Sequence, residues 1–239
     1  METSLMLSWS EGVSEPEAET LVHAVQAVLN WLYFRRFDVF FDPPVRLHVF
    51  GNWVIPSLVN RHDYWGTQWY VDTAYDPASE RVLGPQYLEL VRQEPWQRAE
   101  PHLDLSLIDQ DLTDMPAPLA RQRPGYYSLG TSYPELAAVI SVHRLRAIAD
   151  APTRELALRR LVQHHLGHLL AVPGFGERQF VQRRGLEMHC VNRCVMRHAE
   201  TVEQLVALAL EERSLGWPFC PRCTAHLHSA IIRRAGNWN

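Results

Sequence analysis

The sequence predicts an α+β fold with a single core, followed by a small cysteine-bearing end, and three observations predict it. Short apolar runs of strand length recur between segments of helical periodicity. One of those helical segments, Arg154–Pro173, carries His164, His165 and His168 within five positions. All four cysteines of the 239 residues fall between 190 and 223.

In chain order, Leu5–Trp9 reads as a first strand. Ser14-x-x-Glu17 with Pro16 forms a capping box, and apolar residues at helical spacing run from Ala18 to about Phe34. Val45–Phe50 and Val54–Ile55 are strand pieces around the turn Gly51–Asn52. Residues 62–101 are rich in aromatics and proline, with Tyr64, Trp65, Trp69, Tyr70, Tyr75 and Trp96, and contain a short helix near Gln86–Arg92. Leu103–Ile108 is a strand with Asp109 and Asp111 at its end, and Met115–Gly125 is a proline-containing loop. Tyr126–Leu129 and Ala137–Val142 are further strands, the second apolar except for Ser141 and therefore central. The histidine helix, about 152–172, starts at Asp150 and Pro152 and stops at Pro173–Gly174. The following GFGERQFVQRRGLEM, with three glycines and three arginines, reads as an exposed excursion. Thr201–Glu212 and Ala225–Arg234 are helices. The organisation expected is an N-terminal α/β part over 1–173 and a C-terminal part over 174–239.

Composition removes several function classes. A hydrophobic fraction of 46% with 21% charged residues is ordinary for a globular protein. The net charge of −4 gives no electrostatic reason to expect nucleic acid or an anionic membrane as partner. All 23 basic residues are arginine, which excludes a Schiff-base lysine and a P-loop lysine. The first residues lack a signal-peptide pattern, and no apolar run approaches the ~20 residues that span a bilayer. The compartment expected is cytoplasmic. Nothing in the sequence sets an oligomeric state.

His164 and His168 lie one helical turn apart on one face, continuing an apolar stripe from Ala157 and Leu161. Two imidazoles at i and i+4 can hold one metal ion, the geometry of the H-E-x-x-H zinc motif. Here the carboxylate position of that motif is His165. Zinc wants more ligands than two, and two downstream residues offer a third. His189 directly precedes Cys190, while Glu187 follows His168 with 18 residues between them. His189 is the preferred ligand. The plainer reading makes His164 and His168 hydrogen-bonded core histidines.

Cys190-x3-Cys194 and Cys220-x2-Cys223, with 25 residues between the pairs, match a four-cysteine structural zinc site. Confinement to one short region favours a metal cluster over a disulfide framework. Met196 stands two residues after Cys194, where a methionine turn beneath a three-histidine site would sit.

Taken together these residues resemble the archaemetzincin family of zinc peptidases. Its pattern is an H-E-x-x-H-x-x-G-x-x-H helix, a cysteine directly after the third histidine, a C-x-M and a later C-x-x-C. His164, His168, His189–Cys190, Cys194-Val195-Met196 and Cys220/Cys223 match it. LSLIDQDLTDM, the aromatic-glycine strand at Tyr126–Gly130 and AVISVHRL occupy the expected places, so about residues 100–225 are covered. The departures are specific. His165 replaces the catalytic glutamate, Ala171 replaces the glycine, and His189 comes about fifteen residues after the position of the family's third histidine. The first cysteine pair is one residue closer.

The resemblance implies a zincin-like domain, a mixed sheet plus active-site helix, with a small C-terminal subdomain bearing four cysteines, and two zinc ions per chain. It implies a zinc-dependent metallopeptidase cleaving peptides in a cleft beside the Ala137–His143 strand. His165, roughly 80° from the bisector of the two ligand histidines, stands at the general-base position, as a weakened acceptor, a bystander or a further ligand. Losing a general base costs ~10²–10⁴ in rate. The alternative is therefore a non-catalytic zinc-binding pseudo-peptidase that binds peptides or a partner protein. A third reading, a nucleic-acid module using Arg193, Arg197 and Arg222, conflicts with the acidic balance.

Overall fold

The structure, a computed structural model, describes residues 3–35, 45–52, 55–56, 64–174, 176–184 and 187–236. Val54 and Gly185 of the expected strand piece and excursion lie outside them. The elements, in order, are β1 (Thr3–Trp9), α1 (Glu15–Arg35), β2 (Val45–Gly51), β3 (Ile55–Pro56), β4 (Tyr64–Trp65), α2 (Thr67–Ala74), β5 (Tyr75–Asp76), β6 (Arg81–Leu83), α3 (Gly84–Gln93), α4 (Pro95–Ala99), β7 (Leu103–Ile108), β8 (Leu112–Thr113), α5 (Ala117–Gln122), β9 (Gly130–Tyr133), β10 (Ala137–Ser141), a 3-10 turn (Arg144–Ala147), α6 (Ala151–Leu169), β11 (Val181–Arg184), β12 (Glu187–Cys190), α7 (Val202–Glu212) and α8 (Pro221–Gly236). None of these helices is long and apolar enough to cross a membrane.

Five strands form the main sheet in the order β2-β1-β7-β10-β9. The β1/β2, β1/β7 and β7/β10 pairs are parallel, and β9 runs antiparallel to β10. The strands β7 and β10 are buried on both faces. Leu103, Leu105 and Leu107 of β7 and Ala138 and Ile140 of β10 point into one apolar cluster with α1 and α6. Ile108, Ala137 and Val139 point the other way, against Tyr70, Tyr87 and Leu88 of α2 and α3. The first cluster continues through Met196, Leu205, Phe219 and Leu227, so the C-terminal segment shares this core. The capping box at the start of α1 forms as read, with the Ser14 N–H and hydroxyl both donating to Glu17 Oε2 at 2.9 and 2.8 Å.

Three local readings are corrected. The strand expected at Tyr126–Leu129 begins instead at Gly130, and within residues 126–129 Ser128 forms an isolated bridge with Leu112. The aromatic pair Tyr126–Tyr127 has strand propensity. The register is set elsewhere, by Ser141 N–H donating to the Leu129 carbonyl (2.9 Å) and by the turn in which Leu136 N–H donates to Tyr133 O (3.0 Å). The loop 115–125 contains α5. The excursion after Pro173, largely exposed along Val181–Arg184 as expected, also carries an antiparallel strand pair, β11 and β12, and the polar residues of β11 hide its alternation.

Candidate metal centre

Helix α6 sets the first two donors. Its start is fixed by the Asp150 side chain accepting from Thr153 N–H (2.9 Å), with Pro152 in the first turn. Burial of Ala157, Leu161, Val162, Leu166 and Leu169 fixes its rotation, so His164 and His168 face inward together. The helix ends at Leu169, three residues before the expected limit, because the chain turns there through a left-handed residue. Ala171 has φ 56°, Val172 N–H donates to Gly167 O and Ala171 N–H to His168 O, each at 2.9 Å. This is a Schellman stop with alanine where glycine is the usual residue. Replacing Ala171 by Gly relieves the Cβ strain at some loss of unfolded-state restriction. A net gain of about 0.5–1 kcal/mol is expected, read as a higher urea midpoint at unchanged slope.

Strand β12 brings two more donors. Alternate residues of a strand share a face, so Glu187 and His189 point one way and Cys190 the other. His164 Nε2 and His168 Nε2 lie 3.1 Å apart, and Glu187 Oε2 is 3.5 Å from His189 Nε2 and 3.8 Å from His168 Nε2. One donor atom from each of the four residues falls within 4.8 Å of all the others. Tetrahedral coordination at ~2.0–2.1 Å places ligand atoms about 3.4 Å apart. His164 Nδ1 donates to the Val195 carbonyl at 2.9 Å, which leaves the Nε2 lone pair turned to the centre. Among the described residues, both ring nitrogens of buried His189 lack a hydrogen-bond partner. Burial holds His164 and His168 well below the usual histidine range and His189 down to about 3, so all three rings are neutral. Neutral, buried imidazoles that converge on one point fit a divalent cation. Burial also pushes Glu187 up to about 7, with the Ser132 side chain and N–H opposing it.

The opposite face of β12 serves a second group. Cys190, Cys194, Cys220 and Cys223 are free thiols, buried, with their sulfurs within 4.8 Å of one another. Cys190 Sγ and Cys220 Sγ are 3.8 Å apart, far beyond a disulfide and close to the ~3.8 Å that tetrahedral zinc–sulfur bonds of 2.3 Å require. Backbone N–H groups of Asn192 and Cys220 point at Cys190 and Cys194 sulfurs (3.4 and 3.3 Å). Hydrogen bonding from Cys190 and its neighbours holds the Cys220 thiol below its ordinary range. Met196 is fully buried, and a Cβ on Gly167 would lie 2.3 Å from its sulfur. Gly167 is thus the residue that admits the methionine.

No family model and no curated protein matches this chain. Solved structures do. Archaemetzincin from Methanopyrus kandleri superposes with a TM-score of 0.58 at 19% identity, covering 97% of each chain. The malonate complex of archaemetzincin from Archaeoglobus fulgidus gives 0.55 at 17%, covering 94% of this chain and 99% of that one. A zinc-dependent peptidase from Methanocorpusculum labreanum gives 0.55 at 19%, covering 93% and 99%. The chain has the archaemetzincin fold.

His165, expected from the resemblance at the general-base position, packs away from the four donors. Its Nδ1 is 2.7 Å from Ser132 Oγ, and a Cβ on Gly130 would lie 2.3 Å from its Nε2. The ring therefore rests against β9, outside the four-donor group, and burial lowers it to about 3. Glu187 and His189, read from sequence as alternatives, arrive at the centre together. Ser132 and His198, whose ring lies 4.6 Å from His189, had no sequence signal, since only tertiary structure brings them there. Of the four donors, Glu187 lines a cleft of about 750 Å³, together with Tyr126, Tyr127, Gly130, Ser132 and His198. This cleft borders β9, not the Ala137–His143 strand, because β10 is covered by β9. The three arginines near the cysteines have intramolecular partners: Arg197 on Glu211 and Glu212, Arg193 on Ser214 and the Glu211 carbonyl, Arg222 on Glu177 and over Phe180.

Proposed function

We propose that the protein is a zinc-dependent peptidase of the archaemetzincin type. In this reading His164, His168 and His189 hold one zinc ion, the four cysteines hold a second, and Met196 packs beneath the first. The observation that carries it is the meeting of three neutral imidazoles and one carboxylate oxygen beside the outer edge of β9. Nitrogen and oxygen donors on one face of β12 and four thiolates on the other suit zinc above harder cations. A neighbour of this fold is named a zinc-dependent peptidase, which supports the same choice. When bound at the imidazole centre, zinc supplies Lewis acidity toward a peptide carbonyl. The chain's residues do the remaining work. The edge of β9 takes an extended peptide as an added strand, Tyr126 and Tyr127 wall the cleft, and Glu187 is the carboxylate placed to accept a proton at Oε2.

The test is digestion of a peptide library by the zinc-loaded protein. Cleavage that stops on chelation and returns with added zinc supports the reading; a silent, zinc-replete protein overturns it. A second reading, a non-catalytic pseudo-peptidase binding peptides, is favoured by His165, a neutral ring tied to Ser132 where the family carries its glutamate. Cleavage by His165→Glu alone, with none by the wild type, would establish that second reading.

A further inference from the structure

We infer that Glu187 is a latch that closes the imidazole centre and the peptide-binding strand together, so that a peptide adding to β9 must displace it. The inference rests on the zinc-peptidase reading above and adds a gate to it.

The backbone of β9 establishes the first half. Thr131 and Tyr133 are the partners of Val139 and Ala137, and Leu129 O accepts from Ser141 N–H. In an antiparallel strand alternate residues bond to opposite sides. The N–H and C=O groups of Gly130 and Ser132 therefore point outward, into the cleft. An incoming strand needs those groups, and two of them are taken: Ser132 N–H donates to Glu187 Oε1 and Gly130 O accepts from Ser128 Oγ, each at 2.7 Å. The other carboxylate oxygen establishes the second half. Oε2 lies 3.5 Å from His189 Nε2 and 3.8 Å from His168 Nε2, the separation of ligands around one ion. Three imidazoles and Oε2 would together supply four donors to a metal ion held there. One carboxylate thus spans the strand edge and the donor set.

The two holds are coupled. A peptide carbonyl that replaces Oε1 on Ser132 N–H keeps that amide satisfied, so the exchange conserves hydrogen bonds. It also deprives Glu187 of the contact that aims Oε2. The anchor for this movement is uneven: Cys190 is fixed among the thiols at one end of β12, while the paired strand β11 is largely exposed. Extended peptides that reach Ser132 open the centre, whereas a small ligand that cannot pair with β9 meets a closed one.

The experiment uses the full chain loaded with cobalt(II) and titrated with acetohydroxamate, a small chelator without a strand to add, followed by visible absorption. Glu187→Ala and Glu187→Gln are expected to bind acetohydroxamate about tenfold or more tightly than wild type, since the open state is no longer a minor fraction. Hydrogen–deuterium exchange at the Ser132 amide separates the two holds. Exchange should accelerate in Glu187→Ala but not in Glu187→Gln, whose side-chain oxygen still accepts the N–H. Equal acetohydroxamate affinity in wild type and Glu187→Gln, or unchanged Ser132 exchange in Glu187→Ala, overturns the latch while the metal centre stands. Failure of every form to take up cobalt at the histidines overturns the latch and the zinc-peptidase reading together.

Discussion

Cys220→Ser is expected to remove the zinc ion proposed at the four cysteines and to lower the melting temperature by about 10 °C or more. The four sulfurs lie inside the principal apolar cluster, in contact with the residues that close the C-terminal segment onto the sheet, among them Met196, Phe219 and Leu227. A structural zinc site contributes about 10–16 kcal/mol of apparent binding energy in small zinc domains, against a total stability of about 5–15 kcal/mol for a typical domain. Losing even 3–5 kcal/mol of it moves the midpoint by about 10 °C in a chain of this size. Serine is the informative replacement, because it keeps the volume and removes the thiolate. The damage should also cross β12. Cys190 N–H donates to Met196 O, and the adjacent Val195 O orients His164, so the histidine centre inherits its geometry from the thiol side. Native mass spectrometry and a melting curve read both effects. Two retained zinc ions at an unchanged midpoint would show that the four cysteines are only core.

The parts of this arrangement legible in the sequence are those with a local period. His164 and His168 are one turn apart, and a capped helix with an apolar stripe leaves them one direction to face. The strand β10 is apolar along both faces except for Ser141 and so declares itself central, whereas β7 alternates Leu103, Leu105 and Leu107 with Asp104 and Ser106. The Cys-x3-Cys and Cys-x2-Cys pairs announce a shared partner before any contact is known. What stayed hidden depends on distant pairing. His165 meets Ser132 across 33 positions, and β9 is placed by its register with β10 rather than by the strand propensity of Tyr126–Tyr127. Glu187 and His189 stood as rivals in the sequence, although an alternation of two, once β12 is known to be a strand, puts both on the same face. Ala171 was legible as a lost glycine. That the chain keeps the left-handed turn at that position regardless is a tertiary result, imposed by the two hydrogen bonds that close the helix.

Glu187→Gln carries the largest effect expected on turnover. If Oε2 receives the proton in peptide hydrolysis, the amide leaves the shape of the site intact and removes the acceptor, and kcat should fall ~10²–10⁴-fold, about 3–5 kcal/mol in barrier. Zinc content should stay the same, because three imidazoles remain. The latch gives KM a separate direction. Glutamine still accepts the Ser132 N–H but ligates weakly, so KM should fall or hold while kcat collapses, the signature of a lost transition-state interaction rather than lost binding. His165→Gln makes the contrast: its ring lies against Gly130 outside the donor group, and kcat should change by less than about tenfold. Equal turnover in wild type and Glu187→Gln would deny the carboxylate its role. The double variant His165→Glu with Glu187→Gln then asks whether the position matters or only the charge. Turnover restored by a carboxylate on α6 would place the two sites on one proton path. Turnover lost in both would mean that this chain needs its carboxylate on the strand, where it can also hold Ser132.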